Sequence, residues 1–537
     1  MLNSKHYRFY RIYFFCSVFI FSLQLTLTAQ TYLPFQVREL NLPLQNYLQT
    51  DTNGYFRNYC INYKDLQKIN DSLFPRKLSR YYLIRKLRKE SFVQVSQKEF
   101  YLTLDPIFNF QGGINTEDSL NEKIYTNARG LLVKGNISDN FSFESTFIEN
   151  QSTFPAYIDN FADTFKVIPG QGRWKKFKAN GYDYAASQGT ISYAPHRILT
   201  IKAGHGKLFF GNGYRSLLLS TNAFNFPYAL VHLHSKFISY ALVYASLQQV
   251  DKVRKYTGGL SEPLFKKKSA SFQYLTISPT KNFSISFFQA TLFRVRDTVH
   301  PYFDWNVLNP IIFSSAAQYG LNRNPNVLLG ADCNWKPFKN VNLFGQFVLD
   351  DYSTSTSDLR NKTGFQLGIN YFNVLNLKNL VLHAEYNQVR PYTYAHSLPQ
   401  QSYTHYGQAL AHPLGANFKE AIVFLNYRWK DFFLQLKGNY SVYGKDTGIF
   451  HFGNDVFASD NFSIYGVNST ANYLLQGAKT TLTYQEFKVS YLLNAATNLN
   501  VFAQLTSRQE SSTGFTRNTQ LVYIGIATSI FYNYYDF

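Results

Sequence analysis

Apolar and polar residues alternate along several segments of this chain, and this pattern limits its fold more than any other feature. Residues 140–150, 341–351, 379–387 and 498–508 carry mainly apolar side chains at every second position and mainly polar ones between them. A period of two is that of a β-strand with one apolar and one polar face. Since about ten residues let a tilted strand cross a bilayer, the segments predict membrane-spanning strands with polar faces toward a lumen.

The connections between these segments have two sizes. Short turns are predicted near Asn136, Pro279, Pro337, Trp429 and Asn494. Long polar loops are predicted over residues 151–182, 206–227, 250–267, 297–325, 389–418 and 444–475. Short turns on one rim and long loops on the other are typical of bacterial outer-membrane barrels.

The number of segments suits a closed bacterial barrel, because about eighteen candidate strands follow residue 97. An open sheet edge cannot lie in lipid, so the last strand must pair with the first. The sequence therefore predicts an all-β fold, a transmembrane antiparallel β-barrel of about 18 strands formed by residues 96–537. We expect residues 521–537 to form the closing strand, with Ile530 and Tyr532 on its lipid face and Phe537 at its end.

Aromatic residues make up 18% of the chain, with 42 Tyr and 50 Phe, while the mean hydropathy is −0.24. This combination suits alternating strands with aromatic girdles at the two membrane surfaces. We expect Phe224, Phe226 and Tyr228 to lie at girdle depth.

Residues 1–29 are predicted to be a signal peptide. Lys5, Arg8 and Arg11 precede a short apolar run, and Ala29 offers a cleavage point. A membrane anchor is the alternative that we do not favour, because the apolar run is short and interrupted.

Residues 30–95 do not alternate, and we expect them to form a small, partly helical periplasmic segment at or inside the mouth of the barrel. The stretch from Arg76 to Lys89 is rich in basic residues. We interpret these residues as a solvated helix face rather than a binding site.

The formal net charge is +20. In a cytoplasmic protein this charge would suggest nucleic acid, but the export signal argues against that partner. Acidic polysaccharide or lipopolysaccharide phosphate is the partner we expect, besides the outer-membrane lipid around the barrel. A basic surface without a single ligand is the alternative. After cleavage, Cys60 and Cys333 could pair in an oxidising compartment, but we favour free or buried thiols.

The stretch "GHGKLFFGNGYRSLLLSTNAFNFPY", residues 204–228, starts like a phosphate-binding loop. It lacks the Gly-Lys-Ser/Thr of a Walker loop and the Gly-x-Ser-x-Gly frame of a nucleophile elbow. We interpret it as a barrel loop in which Arg215 either pins the loop or binds an anionic ligand, and we favour pinning. A hydrolase based on Ser216 remains an alternative that geometry must test.

Two further groups of polar residues are candidates for a metal site and for a carbohydrate-binding site. His232 and His234 share one strand face, but no other ligand is spaced for zinc, so no metal or other cofactor is predicted. Around residues 383–420, aromatic rings and planar polar groups crowd together as in carbohydrate-recognition sites. Internal packing of a long loop explains these residues equally well. The candidate ligand-binding residues are Asn212, Tyr214, Arg215, Glu385, Asn387, Arg390, Tyr392, His396 and His412.

Four motifs resemble the RemB gliding-motility proteins, which look like a branch of the capsule-assembly Wzi family. These motifs are "PGQGRWKKFKANGYDYAASQG" from residue 169, the 204–228 stretch, "LNPIIF" from residue 308 and "EYNQVRPYTYAH…AHPLGANFKE" from residue 385. The resemblance implies an outer-membrane barrel of about eighteen strands with a helical periplasmic element. In the Wzi branch it implies a lectin-like anchor for capsular polysaccharide, and in the RemB branch a surface component of gliding. It implies no enzymatic activity.

We therefore expect a non-enzymatic outer-membrane barrel whose loops at the cell surface meet extracellular or capsular polysaccharide, or motility or secretion machinery. A porin-like channel for oligosaccharides is one alternative, and an open lumen would favour it. A lumenal hydrolase acting on lipid or glycan is a second, and it would need a nucleophile within hydrogen-bond reach of a base.

Overall fold

The structure is a computed structural model, and it describes residues 31–32, 60–61, 63–75, 79–117, 122–249, 266–294, 305–321, 323–352, 361–448, 450–461, 472–528 and 533–537. The predicted signal peptide lies outside these residues. The helices are α1 (Tyr63–Leu73), α2 (Tyr82–Arg88), α3 (Ala156–Phe165) and α4 (Ser314–Tyr319), with 3₁₀ turns at Trp305–Leu308, Val374–Asn376 and Pro399–Gln401. Within the described ranges, none of the helices has the length and apolar character of a membrane span.

Short strands accompany the main sheet: β1 (Thr31–Tyr32), β2 (Cys60–Ile61), β3 (Val93–Ser96), β7 (Lys175–Phe177), β18 (Thr404–His405) and β19 (Gln408–Ala409). In the part of the chain that the structure describes, 18 antiparallel strands close into a barrel, as the alternation predicts. They are β4 (Phe100–Asn115), β5 (Lys123–Ile137), β6 (Phe141–Thr153), β8 (Gly181–His196), β9 (Leu199–Gly206), β10 (Phe226–His234), β11 (Ile238–Gln249), β12 (Lys266–Thr280), β13 (Phe283–Arg294), β14 (Asn326–Phe338), β15 (Val341–Asp351), β16 (Lys362–Phe372), β17 (Leu380–Val389), β20 (Phe418–Trp429), β21 (Phe432–Lys445), β22 (Ala478–Asn494), β23 (Leu499–Ser512) and β24 (Phe515–Thr528).

The barrel closes where β24 pairs with β4, from Leu521 opposite Asn115 to Ala527 opposite Asn109. Beyond that point a different strand pairs with β4, because β3 lies along its residues Tyr101–Leu104. The segment that precedes the barrel therefore pairs with the part of β4 that β24 does not reach.

The expectation that the closing strand continues to Phe537 is wrong. β24 ends at Thr528, Ile530 and Tyr532 lie outside the described residues, and residues 533–537 fold into the lumen. The reason lies in the alternation: Val522 and Ile524 face outward, and a continued strand would point Asp536 to the same side. A carboxylate on the lipid face is costly, whereas in the lumen it finds cations.

Polar faces point inward, as predicted. On β15, Asn342, Gln346 and Asp350 are buried inside the barrel, whereas Phe347 is 47% exposed on the outer surface. Leu367 on β16 is 60% exposed in the same way. The outer surface is therefore the apolar surface that a bilayer requires.

The tight turns lie mostly at one end and the long connections at the other, although the two-residue turn 513–514 shares the end of the long connections. Tight turns such as 281–282, 339–340 and 430–431 form one end, here called the short-turn rim. The long connections form the other end, here called the long-loop rim. An aromatic girdle surrounds the short-turn rim, where Trp335 and Trp429 are exposed by 49% and 54%. Phe226 and Tyr228 do not join a girdle, because they point into the lumen and are buried there.

The helices α1 and α2 lie at the short-turn rim. The hydroxyl of Tyr63 donates to Glu144 on the inner wall at 2.6 Å. Phe74, just after α1, packs on Phe433 and Leu492. These contacts agree with the expected position at the barrel mouth, although the domain boundary and its periplasmic side remain predictions.

Protein packs the long-loop half of the lumen along strands β10–β22. Loop residues and inner-wall residues together form the largest hydrophobic core. The loops contribute Leu208, Phe210, Leu217, Leu218, Leu219, Tyr394, Tyr403, Leu410 and Val456, and the wall contributes Phe226, Phe272, Phe288, Leu328, Val348, Val389, Phe418 and Leu482. We call the loops 207–225 and 390–417, with residues 533–537, the plug.

Candidate functional site: the plugged lumen and the long-loop rim

Two glycines let the loop 207–225 approach the inner wall. A Cβ at Gly213 would collide with the side chains of Glu385 and Gln366, and Gly211 has a φ of +140°. Because the backbone comes this close, the N–H groups of Tyr214 and Arg215 both donate to the Glu385 carboxylate, at 2.7 and 3.1 Å. The glycine pattern that resembles a phosphate loop therefore binds a carboxylate of the protein itself.

Arg215 is fully buried at the centre of the lumen. Its guanidinium carbon lies 4.8 Å from the ring centre of Tyr214 and 4.6 Å from that of Tyr534, so two aromatic faces enclose the cation. Its Nη2 lies 3.2 Å from Glu420 and 3.1 Å from Asp536. One side chain thus joins the loop, the wall and residues 533–537.

Asp536 has a second cation. The Lys437 ammonium on β21 lies 2.5 Å from its other carboxylate oxygen, and the Tyr214 hydroxyl donates to that oxygen at 3.0 Å. Burial alone would raise the pKa of Asp536, but Arg215 and Lys437 hold it well below its ordinary range. The carboxylate is therefore charged and paired.

Glu420 on β20 connects Arg215 of the first plug loop to the second plug loop, 390–417. It lies 2.6 Å from Nε2 of His412 and accepts from the side-chain amides of Asn387 and Asn439 at 3.0 Å each. Burial lowers the pKa of His412, although Glu420 opposes this shift. We call Arg215, Glu385, Asn387, His412, Glu420, Lys437, Asn439 and Asp536 the lumen network.

Of the nine predicted ligand-binding residues, five therefore belong to or contact this network: Tyr214, Arg215, Glu385, Asn387 and His412. Asn212 lies beside them, where its amide donates to Asp332 at 2.8 Å and accepts from Asn334 at 2.6 Å. All six are buried or nearly so, and their contacts are with other parts of the chain. These contacts support the pinning interpretation of Arg215, whereas direct ligand binding by these residues stays a prediction.

The remaining three predicted residues lie apart, at the long-loop rim. Arg390 is half-buried and donates to the carbonyls of Asn361 and Asn472, both at 2.9 Å. Tyr392 donates to the carbonyl of His451 at 2.6 Å, and a ring nitrogen of His396 lies 3.1 Å from the carbonyl of Arg323. These three side chains tie neighbouring loops together.

The residues considered for catalysis and metal binding have other contacts. The Ser216 hydroxyl donates to the carbonyl of Phe210 at 2.5 Å and lies 3.3 Å from the amide oxygen of Gln346, so its partners are not bases. His232 and His234 stack at 5.3 Å on the lumen face. Cys333 is a free thiol. The described ranges hold no group of three or more His, Cys, Asp or Glu placed for a metal ion.

Sequence reasoning missed half of the lumen network. Glu420 and Lys437 could have been found, because the alternation on their strands places both at inward positions. Tyr534 and Asp536 gave no such signal, since residues 521–537 read as one continuous strand.

The long-loop rim also carries exposed cations and rings. Lys445 and Arg517 lie 5.7 and 5.0 Å from the ring centre of Phe515. Nearby loops expose Phe450 by 48% and Tyr473 by 63%. Aromatic faces beside cations can stack on sugar rings and pair with their acidic groups.

A cavity of about 250 Å³ remains between residues 533–536 and the wall strands β4, β5 and β22–β24. Glu486 lines it and already accepts hydrogen bonds from Gln435 and Tyr484, at 2.9 and 2.7 Å. The wall groups at this cavity therefore bond largely to each other.

The likeness to one solved structure supports the architecture. Wzi of Escherichia coli, described as an outer-membrane protein involved in group 1 capsule assembly and a carbohydrate-binding β-barrel, matches with a TM-score of 0.51. It is 11% identical, and the match covers 94% of this chain and 99% of that one. OprD of Pseudomonas aeruginosa matches with a TM-score of 0.42 at 11% identity, and the match covers 82% of this chain and 98% of that one. OccK7 (OpdD) of the same species matches with a TM-score of 0.43 at 9% identity, and the match covers 80% of this chain and 98% of that one.

Comparison with curated protein sequences gives no match. The sequence profile of the capsule assembly protein Wzi family, however, matches residues 184–509, which is more than half of the chain. The matched range includes the plug loops and most of the lumen network. This outer-membrane β-barrel therefore belongs to the capsule assembly protein Wzi family.

Proposed function

We propose that this barrel retains or assembles capsular polysaccharide at the cell surface without catalysing a reaction, and that the glycan binds to the long-loop rim instead of passing through the lumen. The carrying observation is the plug. Leu217, Leu218 and Leu219 are fully buried against the inner wall, and with β10–β22 they form a packed core that narrows the lumen. Packed interiors contain few voids larger than a water molecule, which disfavours a glycan channel.

Family membership supports a role in capsule assembly, and the solved Wzi barrel is described as carbohydrate-binding. On this chain the exposed groups around Phe515 are suited to an acidic glycan. Lys445 is 45% exposed at its side chain, and Arg517 is exposed. The net charge of +20 acts in the same direction, since it attracts polyanions at long range.

The test uses a strain that lacks this protein and produces an acidic capsule. Complementation with the double variant Lys445→Glu/Arg517→Glu should leave polysaccharide synthesis unchanged but shift polysaccharide from the cell-bound to the shed fraction. The matched control is Lys236→Glu/Lys430→Glu, which makes the same charge change on exposed residues of the short-turn rim. Equal retention by both double variants would remove the groups around Phe515 from the proposal.

Participation in gliding remains a separate hypothesis that comes from the resemblance. The same deletion strain, scored for surface movement while its capsule is intact, tests it independently of glycan retention.

A further inference from the structure

The segment 305–321 lies on the outside of the barrel wall. The hydroxyls of Tyr240 and Tyr244 on β11 donate to the carbonyls of Pro310 and Leu308, at 2.5 and 3.1 Å. Phe287 on β13 meets Phe313 edge to face at 6.0 Å. These wall residues alternate with Ala241, Val243 and Phe288, which face the lumen core. The segment, here called the strap, therefore covers the outer face of β11–β13.

The strap covers polar wall residues that would otherwise face lipid. Gln273 and Gln289 are directly paired on neighbouring strands and share the outward face. The Gln289 amide donates to Gln273 at 3.0 Å, and the Gln273 amide donates to the carbonyl of Asn309 at 2.7 Å. The N–H of Ala316 completes the chain by donating to Gln289 at 3.4 Å.

The strap lies at membrane depth. At about 3.4 Å per residue, Gln289 is roughly 17 Å along the strand from Arg294, where β13 reaches the long-loop rim. The apolar band of such barrels is about 25 Å tall, so the strap covers a part of the wall that belongs to it.

At membrane depth, non-helical backbone is tolerated where it is buried against protein and its polar groups have partners. Several backbone groups of the strap have such partners. Besides the bonds to the wall, the N–H of Asn309 donates to Asn306, that of Ser314 to Ile311, that of Ala317 to Phe313 and that of Gly320 to Ala316. The N–H of Ile311 donates to the side chain of Asn309 at 3.0 Å.

The outer side of the strap is uncharged and mainly apolar, with Asn306 and Gln318 as exposed polar residues. Trp305 is 74% and Ile311 65% exposed, while Val307 and Ser315 are buried toward the wall. From Trp305 to Leu321 there is no Asp, Glu, Lys or Arg, in a chain of which 16% is charged. The outer side thus continues the apolar surface of neighbouring strands.

We propose that the strap is embedded in the outer membrane and that Trp305, Leu308, Ile311 and Phe313 contact lipid acyl chains. It replaces a polar part of the barrel wall with a lipid-compatible surface. The proposal does not depend on the function of the long-loop rim.

The test uses the four tryptophans of the chain, Trp174, Trp305, Trp335 and Trp429. A variant with Trp305 alone, the others changed to Phe, is reconstituted in bilayers of phosphatidylcholine brominated on the acyl chains. Trp305 fluorescence should be quenched to an extent similar to that of a Trp335-only variant, and aqueous iodide should have little effect. A Trp174-only variant is the shielded control, because its indole donates to the carbonyl of Ala162 inside the barrel.

Quenching of Trp305 by iodide and not by brominated lipid would place the strap in water and overturn the proposal. Protection from both quenchers would show that a second copy or another protein covers the strap, which also overturns it. As a second variant, Gln273→Leu/Gln289→Leu removes the hydrogen bonds to the strap. Access of iodide to Trp305 should rise while the barrel stays folded, and unchanged access would contradict the anchoring role of these glutamines.

Discussion

Arg215 and Asp536 meet inside the barrel, where the guanidinium Nη2 lies 3.1 Å from the carboxylate and both side chains are shielded from solvent. This pair joins the loop 207–225 to residues 533–537, and Glu420 and Lys437 fix it to two neighbouring wall strands. The plug is therefore held by charge as well as by its leucines.

Removal of Arg215 should destabilise the protein strongly. In Arg215→Met, Asp536 and Glu420 remain buried with one cation fewer, and breaking a buried pair in this way costs about 3–5 kcal/mol. The measurement is the free energy of unfolding in liposomes, from denaturant titration followed by tryptophan fluorescence. The double variant Arg215→Met/Glu420→Gln removes one cation and one anion, keeps Asp536 paired with Lys437, and should recover most of the loss. Equal stability of Arg215→Met and wild type would contradict the role of the pair.

Acid should weaken the same contact. The folded-state pKa of Asp536 lies below its ordinary value of about 3.9. The contribution of Asp536 to the free energy of unfolding is therefore complete above about pH 5, and it is lost as the pH falls through the ordinary pKa toward the folded-state pKa. We expect the stability difference between wild type and Asp536→Asn to be largest near neutral pH and to shrink below about pH 4. A difference that is constant from pH 3 to pH 7 would show that Asp536 acts through packing alone.

A matched pair of leucines tests the packed lumen. Leu218 is fully buried in the plug, and Leu367 is 60% exposed on the outer face. Leu218→Ala should cost about 2–5 kcal/mol in unfolding free energy, because it leaves a cavity in a packed core. Leu367→Ala should cost much less, since its partners are lipid. Similar losses in both variants would mean that the lumen is not a packed core.

The plug should also prevent conduction. In planar bilayers the wild-type barrel should show no steady ion conductance, whereas a variant in which a short Gly-Ser linker replaces residues 390–417 should conduct. This loop carries Tyr394, Tyr403 and Leu410, which fill the lumen core. Steady conductance of the wild type, or oligosaccharide flux through it, would revive the porin alternative.

Much of the fold could be predicted from sequence, because alternation is a local property that each strand carries by itself. The inward side of Gln346 and the turn near Pro337 follow from it, and the pairing of the first and last strands follows from the cost of an open sheet edge in lipid. The plug could not be predicted in this way. Its contacts join residues far apart in the chain, such as Tyr214 and Asp536, and no local pattern encodes them. For the same reason, aromatic and polar residues that suggest sugar recognition, including Tyr392 and His396, were found holding loops together.

The pairing of β3 with β4 has a consequence for how the barrel is assembled. β3 and β4 are joined by a tight turn at residues 97–99, and such local hairpins form far faster than contacts between distant strands. β24 pairs with β4 as far as Asn109 and β3 occupies Tyr101–Leu104, so the two strands share one edge of β4. β3 thus acts as a register stop in the folded barrel: a closure in which β24 slipped farther along β4 would have to displace it.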